Sequence, residues 1–154
     1  HSIKHVAGIH ERKMLKENIR FTILNPDEDF QIFGRYRAFN QILGNLFDNS
    51  IYWAKSANKS ENEIVVKLDK TYKTIVFADS GNDFSDIIRP NLFQPGYSLR
   101  IPPSGLGLYI CKTYLNGMKG RIYETPLRDR IPNMTGAHLT IDFSKTPTNK
   151  EDAL

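Results

Sequence analysis

From Arg35 to about Ala57 the apolar residues Phe39, Ile42, Leu43, Leu46, Phe47, Ile51 and Ala54 recur at steps of three and four, the spacing of one long amphipathic helix. Such a stripe has to lie on something, and Leu46, Phe47 and Ile51 are placed to pack on a sheet. The same helix carries Asn45 and Asn49 one turn apart, so both amides face the same way. Helix interiors disfavour asparagine, because its side chain competes for backbone hydrogen bonds. The pair therefore reads either as a solvated polar stripe or as a functional face.

The flanking segments predict an α+β chain. Ile3, Val6, Ile9 or His10, Met14 and Leu15 have loose helical spacing without a start cap, and residues 1–18 read as the end of an upstream linker or dimerisation helix. Ile19, Phe21 and Ile23 alternate as a half-buried strand closed by Asn25-Pro26-Asp27, and a short strand is expected at Phe30–Phe33. Glu63–Asp69 and Thr74–Asp79 read as an antiparallel pair. Between Ser80 and Ser104 the many Gly and Pro residues leave room only for a short helix near Phe84–Arg89, and a loop of that length is the natural place for function. A helix from about Leu106 to Asn116 is expected to stop at Gly117 in the C-cap manner, followed by strands at Gly120–Glu124 and Ala137–Phe143. The end, from about Lys145, reads as a frayed tail.

Several classes of function are excluded or weakened. With 154 residues, 40% hydrophobic and 25% charged, the chain suits one globular domain, here residues 19–145. No apolar run approaches the ~20 residues of a membrane span, so a cytoplasmic chain is expected, although its parent protein could be membrane-anchored. The single cysteine, Cys111, forbids an internal disulfide, and the four histidines lack zinc-site spacing. Any metal must arrive with a ligand. A net charge of +4 with dispersed Lys and Arg gives little support to nucleic-acid binding.

Two further segments carry chemistry. In Ile75-Val-Phe-Ala-Asp79-Ser-Gly81-Asn-Asp83 a carboxylate ends a buried strand and a glycine follows two residues later. That arrangement could accept a hydrogen bond from an exocyclic amine, or could be a plain turn begun by Asp79. In Ser104-Gly105-Leu106-Gly107-Leu108 glycines at a helix entry leave backbone N–H groups free for an anion, which the helix dipole also attracts. A dinucleotide fingerprint and a Walker-type phosphate loop are both absent.

Together, in this order, the segments resemble the boxes of the ATPase superfamily that joins type II topoisomerases, the ninety-kilodalton chaperone, histidine kinases and mismatch-repair proteins. NLFDNS looks like the asparagine box, DSGND like the first glycine box, NLFQPG from Asn91 to Gly96 like the phenylalanine box, and SGLGLYICK like the second glycine box. The resemblance implies a two-layer α/β sandwich, the Bergerat ATP-binding fold, with a mixed sheet, helices on one face, and a mobile lid between Phe93 and Ser104. It implies ATP with Mg2+ as ligands. Asn49 would ligate the metal, with Asn45 beside ion and phosphates. Asp79 would read the adenine amine and Gly81 would make room for the ring. Tyr52 is expected to pack at the helix end, where an aromatic could cover the adenine. Ser104, Gly105, Leu106, Gly107 and Leu108 would hold the phosphates, and Arg100 could neutralise the terminal one.

Within the superfamily the hydrolytic members carry a glutamate one turn before the magnesium asparagine, whereas histidine kinases commonly carry asparagine there. This chain has Asn45. The closest resemblance is therefore to the catalytic domain of a sensor histidine kinase, which implies a phosphoacceptor histidine on another domain of the parent homodimer, a response regulator, and no nucleic acid. His10-Glu11 echoes a phosphoacceptor box but lacks the proline that follows, so His10 reads as a surface histidine at a helix end, and His5 and His138 as structural. Two alternatives stay open: a nucleotide-gated conformational module of the chaperone or mismatch-repair type, and a degenerate binding domain. The second rests on Asp83, which replaces a glycine of the first glycine box and would repel a triphosphate unless it faces solvent or metal.

Overall fold

The computed structural model describes residues 1–97 and 106–149. The helices are α1 (Ser2–Lys16), α2 (Tyr36–Ser56) and α3 (Gly107–Gly117). The strands are β1 (Ile19–Leu24), β2 (Asn62–Asp69), β3 (Thr74–Asp79), β4 (Arg121–Glu124) and β5 (His138–Asp142). Among the described residues the strands form one five-stranded mixed sheet in the order β1-β2-β3-β5-β4. The β1–β2 pair is parallel, joined through α2, and the other pairs are antiparallel.

The helices share one face of this sheet. α2 buries Ile42, Leu43, Leu46, Phe47, Ile51 and Ala54, the stripe that its periodicity specifies. Phe47 sits at the centre, edge-on to Phe77 of β3 (5.0 Å between ring centroids) and to Phe21 of β1 (5.2 Å). α1 adds Ile3, Val6, Ala7 and Met14 to the same core, so residues 1–18 pack as part of this unit. The other face of the sheet carries a smaller cluster in which Ile131 covers Val65, Val76 and Ala78. This explains why β3 and β5 are buried on both sides without helices on both.

Several local expectations are corrected. Phe30–Phe33 is not a strand: the Phe33 N–H donates to Pro147 O (2.6 Å), while Phe30 and Ile32 pack on the core. The same bond anchors the chain at Pro147, within the expected frayed end, and Thr146 is buried, whereas residues 150–154 of that end lie outside the described residues. The helix expected near Phe84–Arg89 is only a turn at 86–88 leading to a 3-10 turn at Arg89–Asn91, because Pro90 has no N–H to continue an α-helix. Gly117 is not the left-handed cap of α3. Lys119 takes that conformation instead (φ 57°), and Gly120 stays close to Leu115 and Phe143, where a Cβ would come within 3.1 and 3.3 Å. His10 is no free surface group: its ring stacks on Phe47 and its Nδ1–H donates to Val6 O (3.0 Å).

Candidate functional site

Three elements end around one space. α2 brings Asn49 and Ser50, β3 ends at Asp79, and α3 begins at Gly107 and Leu108; these residues line a cavity of about 260 Å³ with Ala137 at the approach to β5. Most of the remaining wall is apolar, from Trp53, Phe77, Phe84, Ile88 and Leu139. A concave apolar space with a few convergent polar groups is the usual form of a small-molecule site. A second cavity of about 380 Å³, beside Phe30, Arg35 and Phe143, has none of the motif residues.

Asp79 is 2% exposed. Burial pushes its carboxyl up to about 7, against the opposing pull of hydrogen bonds from the Gly81 and Ala137 backbone and the Ser50 hydroxyl. The Gly81 N–H donates to its Oδ1 at 2.8 Å. A carboxyl held near neutrality at the end of an apolar cavity can exchange its proton for a ligand's N–H donor.

Two glycines make this carboxylate possible. A Cβ on Gly81 would lie 2.7 Å from the Trp53 carbonyl oxygen and 2.8 Å from Asp79 Oδ1, so the missing side chain admits the backbone of α2. Gly81 is not among the lining residues of the cavity. A Cβ on Gly136 would stand 2.2 Å from Asp79 Oδ1, and the Gly136 N–H donates to Asp79 O (3.0 Å). Gly136 escapes a reading by motif because it lies far along the chain, just before β5.

On the opposite side, α3 enters against the asparagines. The Gly107 Cβ position is 3.6 Å from Asn49 Nδ2, and Asn45 Nδ2 donates to Gly107 O (3.4 Å). Asn45 thus ties α2 to α3 and lies behind the lining residues. No side chain caps the start of α3 at Leu106, which is exposed. Tyr52 also stands outside the lining and meets Trp53 edge-on (4.9 Å), and it is Trp53, one turn after Asn49, that faces the cavity. Tyr97 lines it as well, a residue that no spacing singled out. Arg100, Ser104 and Gly105, with most of the expected lid, lie outside the described residues.

Two carboxylates near the site are already engaged. Asp48 turns toward α1, where Lys13 Nζ is 2.6 Å and His10 Nε2 3.6 Å from its Oδ1. Asp83 is paired with Arg130 (2.7 Å) and Arg89 (3.5 Å), so its charge is offset by cations, the case not anticipated from sequence. Among the described residues no three His, Cys, Asp or Glu side chains cluster as metal ligands. The amide oxygen of Asn49 instead suits a hard cation that brings its other ligands with it.

Residues 34–147 match the family described as histidine kinase-, DNA gyrase B-, and HSP90-like ATPase. The chain is 29% identical over 130 residues to the autoinducer 1 sensor kinase/phosphatase LuxN of Vibrio harveyi, an alignment covering 84% of this chain and 15% of LuxN. It is 28% identical over 121 residues to the sensor protein FixL of Bradyrhizobium diazoefficiens, covering 77% of this chain and 23% of FixL. The chain thus spans less than a quarter of the length of either relative. Its fold is similar to that of the catalytic domain of histidine kinase ThkA, with a TM-score of 0.75 at 23% identity, covering 98% of this chain and 93% of that one. It is likewise similar to the mycobacterial sensor histidine kinase MprB, with a TM-score of 0.74 at 19% identity, covering 92% and 91%.

Proposed function

The chain belongs to the family of histidine kinase-, DNA gyrase B- and HSP90-like ATPases, and from that premise we propose that it is the ATP-binding catalytic domain of a sensor histidine kinase. ATP occupies the cavity with Mg2+. Asp79 accepts a hydrogen bond from the exocyclic amine of adenine, and Asn49 supplies its amide oxygen to the metal, with Asn45 beside it. The backbone N–H groups at the start of α3, around Gly105, Leu106 and Gly107, meet the phosphates. Bound magnesium would neutralise charge on the phosphates during transfer. Arg100 and Ser104 contribute from the lid. The γ-phosphoryl goes to a histidine outside this chain and then to an aspartate of a response regulator. α1 continues an upstream dimerisation helix of a homodimeric parent whose kinase domain lies in the cytoplasm.

The observation that supports this reading most directly is the convergence of Asn49, Asp79 and Gly107 on one cavity, since their motifs lie apart in sequence. Transfer is favoured over hydrolysis because α2 offers no general base at that point. Position 45 is an asparagine, and Asp48 is drawn away to Lys13 and His10.

Calorimetry with magnesium and a non-hydrolysable ATP analogue tests the binding step. Saturable binding is expected in the unaltered chain and marked weakening in Asn49→Ala. No heat at millimolar ligand would refute the proposal. The transfer step is tested by mixing the chain and radiolabelled ATP with the parent's own phosphoacceptor domain and following label on histidine.

A further inference from the structure

Asp83 lines the cavity, yet its carboxylate belongs to a ring of four charges, Asp83, Arg130, Glu124 and Arg89, to which the exposed Asp86 adds a fifth through Arg89 (2.5 Å). Arg130 donates to Asp83 Oδ2 (2.7 Å) and to Glu124 Oε1 (2.9 Å). Arg89 donates to both Glu124 oxygens (3.0 and 2.9 Å) and reaches Asp83 at 3.5 Å. Within the ring each acid thus meets both arginines and each arginine both acids, so the four charges offset one another, while Asp86, 98% exposed, is left largely to solvent. Its members come from three places: the segment after β3, strand β4, and the end of the 3-10 turn Leu127–Asp129. Arg130 is the most enclosed, its side chain 17% exposed, and its Nε–H also donates to Thr125 O (3.4 Å).

Between two of the ring positions, Asp83 and Arg89, lie Phe84 and Ile88, which line the cavity. The ring ties both ends of that segment to Glu124 and Arg130. It also cancels a negative charge where a polyanion is to bind. Arg130 is not among the residues that line the cavity, so whatever it does for binding it does through Asp83.

Building on the nucleotide reading above, we infer that Arg130 is a positioning and charge-compensating residue of the nucleotide site, the partner that lets a carboxylate stand at position 83 in the wall of a triphosphate cavity. Losing Arg130 while Asp83 remains exposes the bound triphosphate to an uncompensated negative charge. Losing Asp83 while Arg130 remains removes a negative charge from the wall and frees Arg130 to act on the phosphates. The two changes therefore act in opposite directions on ATP relative to adenosine, which has the same base and no phosphate. A purely structural ring would weaken both ligands together.

The test is calorimetry on the 154-residue chain with ATP and magnesium, and separately with adenosine. In Arg130→Met the preference for ATP over adenosine is expected to fall by about tenfold, the scale of one unscreened charge near several others. In Asp83→Asn it should rise by about threefold, and in the double variant it should return close to the original. If Arg130→Met loses its cooperative unfolding transition, the rise in Asp83→Asn decides the matter alone. An unchanged ratio in Asp83→Asn overturns the inference. Failure of the unaltered chain to bind ATP overturns the nucleotide reading itself, and this inference with it.

Discussion

Replacing Asp79 by asparagine should make the domain more stable at neutral pH while weakening its hold on adenine. The carboxyl is 2% exposed and lies at about 7 in the folded chain, against 3.8 for an exposed group. Because the folded value is the higher one, the folded state keeps a proton that the unfolded chain releases. The stabilisation from that proton is complete below about pH 4 and is lost as pH rises to 7. A shift of about three units corresponds to about 4 kcal/mol in all, of which about 2–3 kcal/mol falls between pH 5 and 8. Asparagine can still accept from the Gly81 N–H and does not titrate. Denaturant unfolding of both chains at pH 5, 6, 7 and 8 should show Asp79→Asn gaining about 2–3 kcal/mol over the original across that range. Taking the difference cancels every contribution common to the two chains. Adenosine binding supplies the functional half. Only the ionised carboxylate is a pure acceptor, so affinity should rise by about tenfold from pH 6 to pH 8 in the original chain and stay flat in the variant. Parallel stability curves would refute the burial reasoning, and pH-independent adenosine binding in the original chain would refute the role of Asp79.

Other changes probe the frame around the site. Gly81→Ala drives a Cβ to 2.7 Å from the Trp53 carbonyl, and Gly136→Ala to 2.2 Å from Asp79 Oδ1. Each should lower unfolding free energy by about 1–3 kcal/mol, Gly136→Ala by the larger amount, as read in urea titrations. Phe47→Ala empties the centre of the core and should cost about 3–5 kcal/mol by the same measurement. Lys119→Gly relieves a left-handed residue (φ 57°) at an exposed position and should raise stability by about 0.5–1 kcal/mol. Asn49→Ala should leave the melting temperature within a few degrees but reduce the gain that magnesium gives to ATP binding, measured as the ratio of affinities with and without the metal.

Much of the architecture is written locally. The three-and-four spacing from Phe39 to Ala54 fixes both the existence of α2 and the face it buries, because a 3.6-residue repeat leaves one stripe for the core. Alternation and β-branched runs likewise mark β1, β2, β3 and β5 to within a residue or two. The motif glycines and asparagines name the region of the site, since each has a chemical oddity that stands out from its neighbours. Partnership between distant segments has no such local signal. The grip of Arg130 on Asp83, the turn of Asp48 toward Lys13, the space that Gly136 leaves for Asp79, and the bond from Phe33 to Pro147 all join residues whose separation in the chain says nothing about their meeting. Phe30–Phe33 has strand-like composition yet no strand beside it, and composition cannot reveal whether a free sheet edge is near. Residue order decides which elements form; which charges are neutralised, and which glycines are indispensable, depends on close approach that only the folded chain creates.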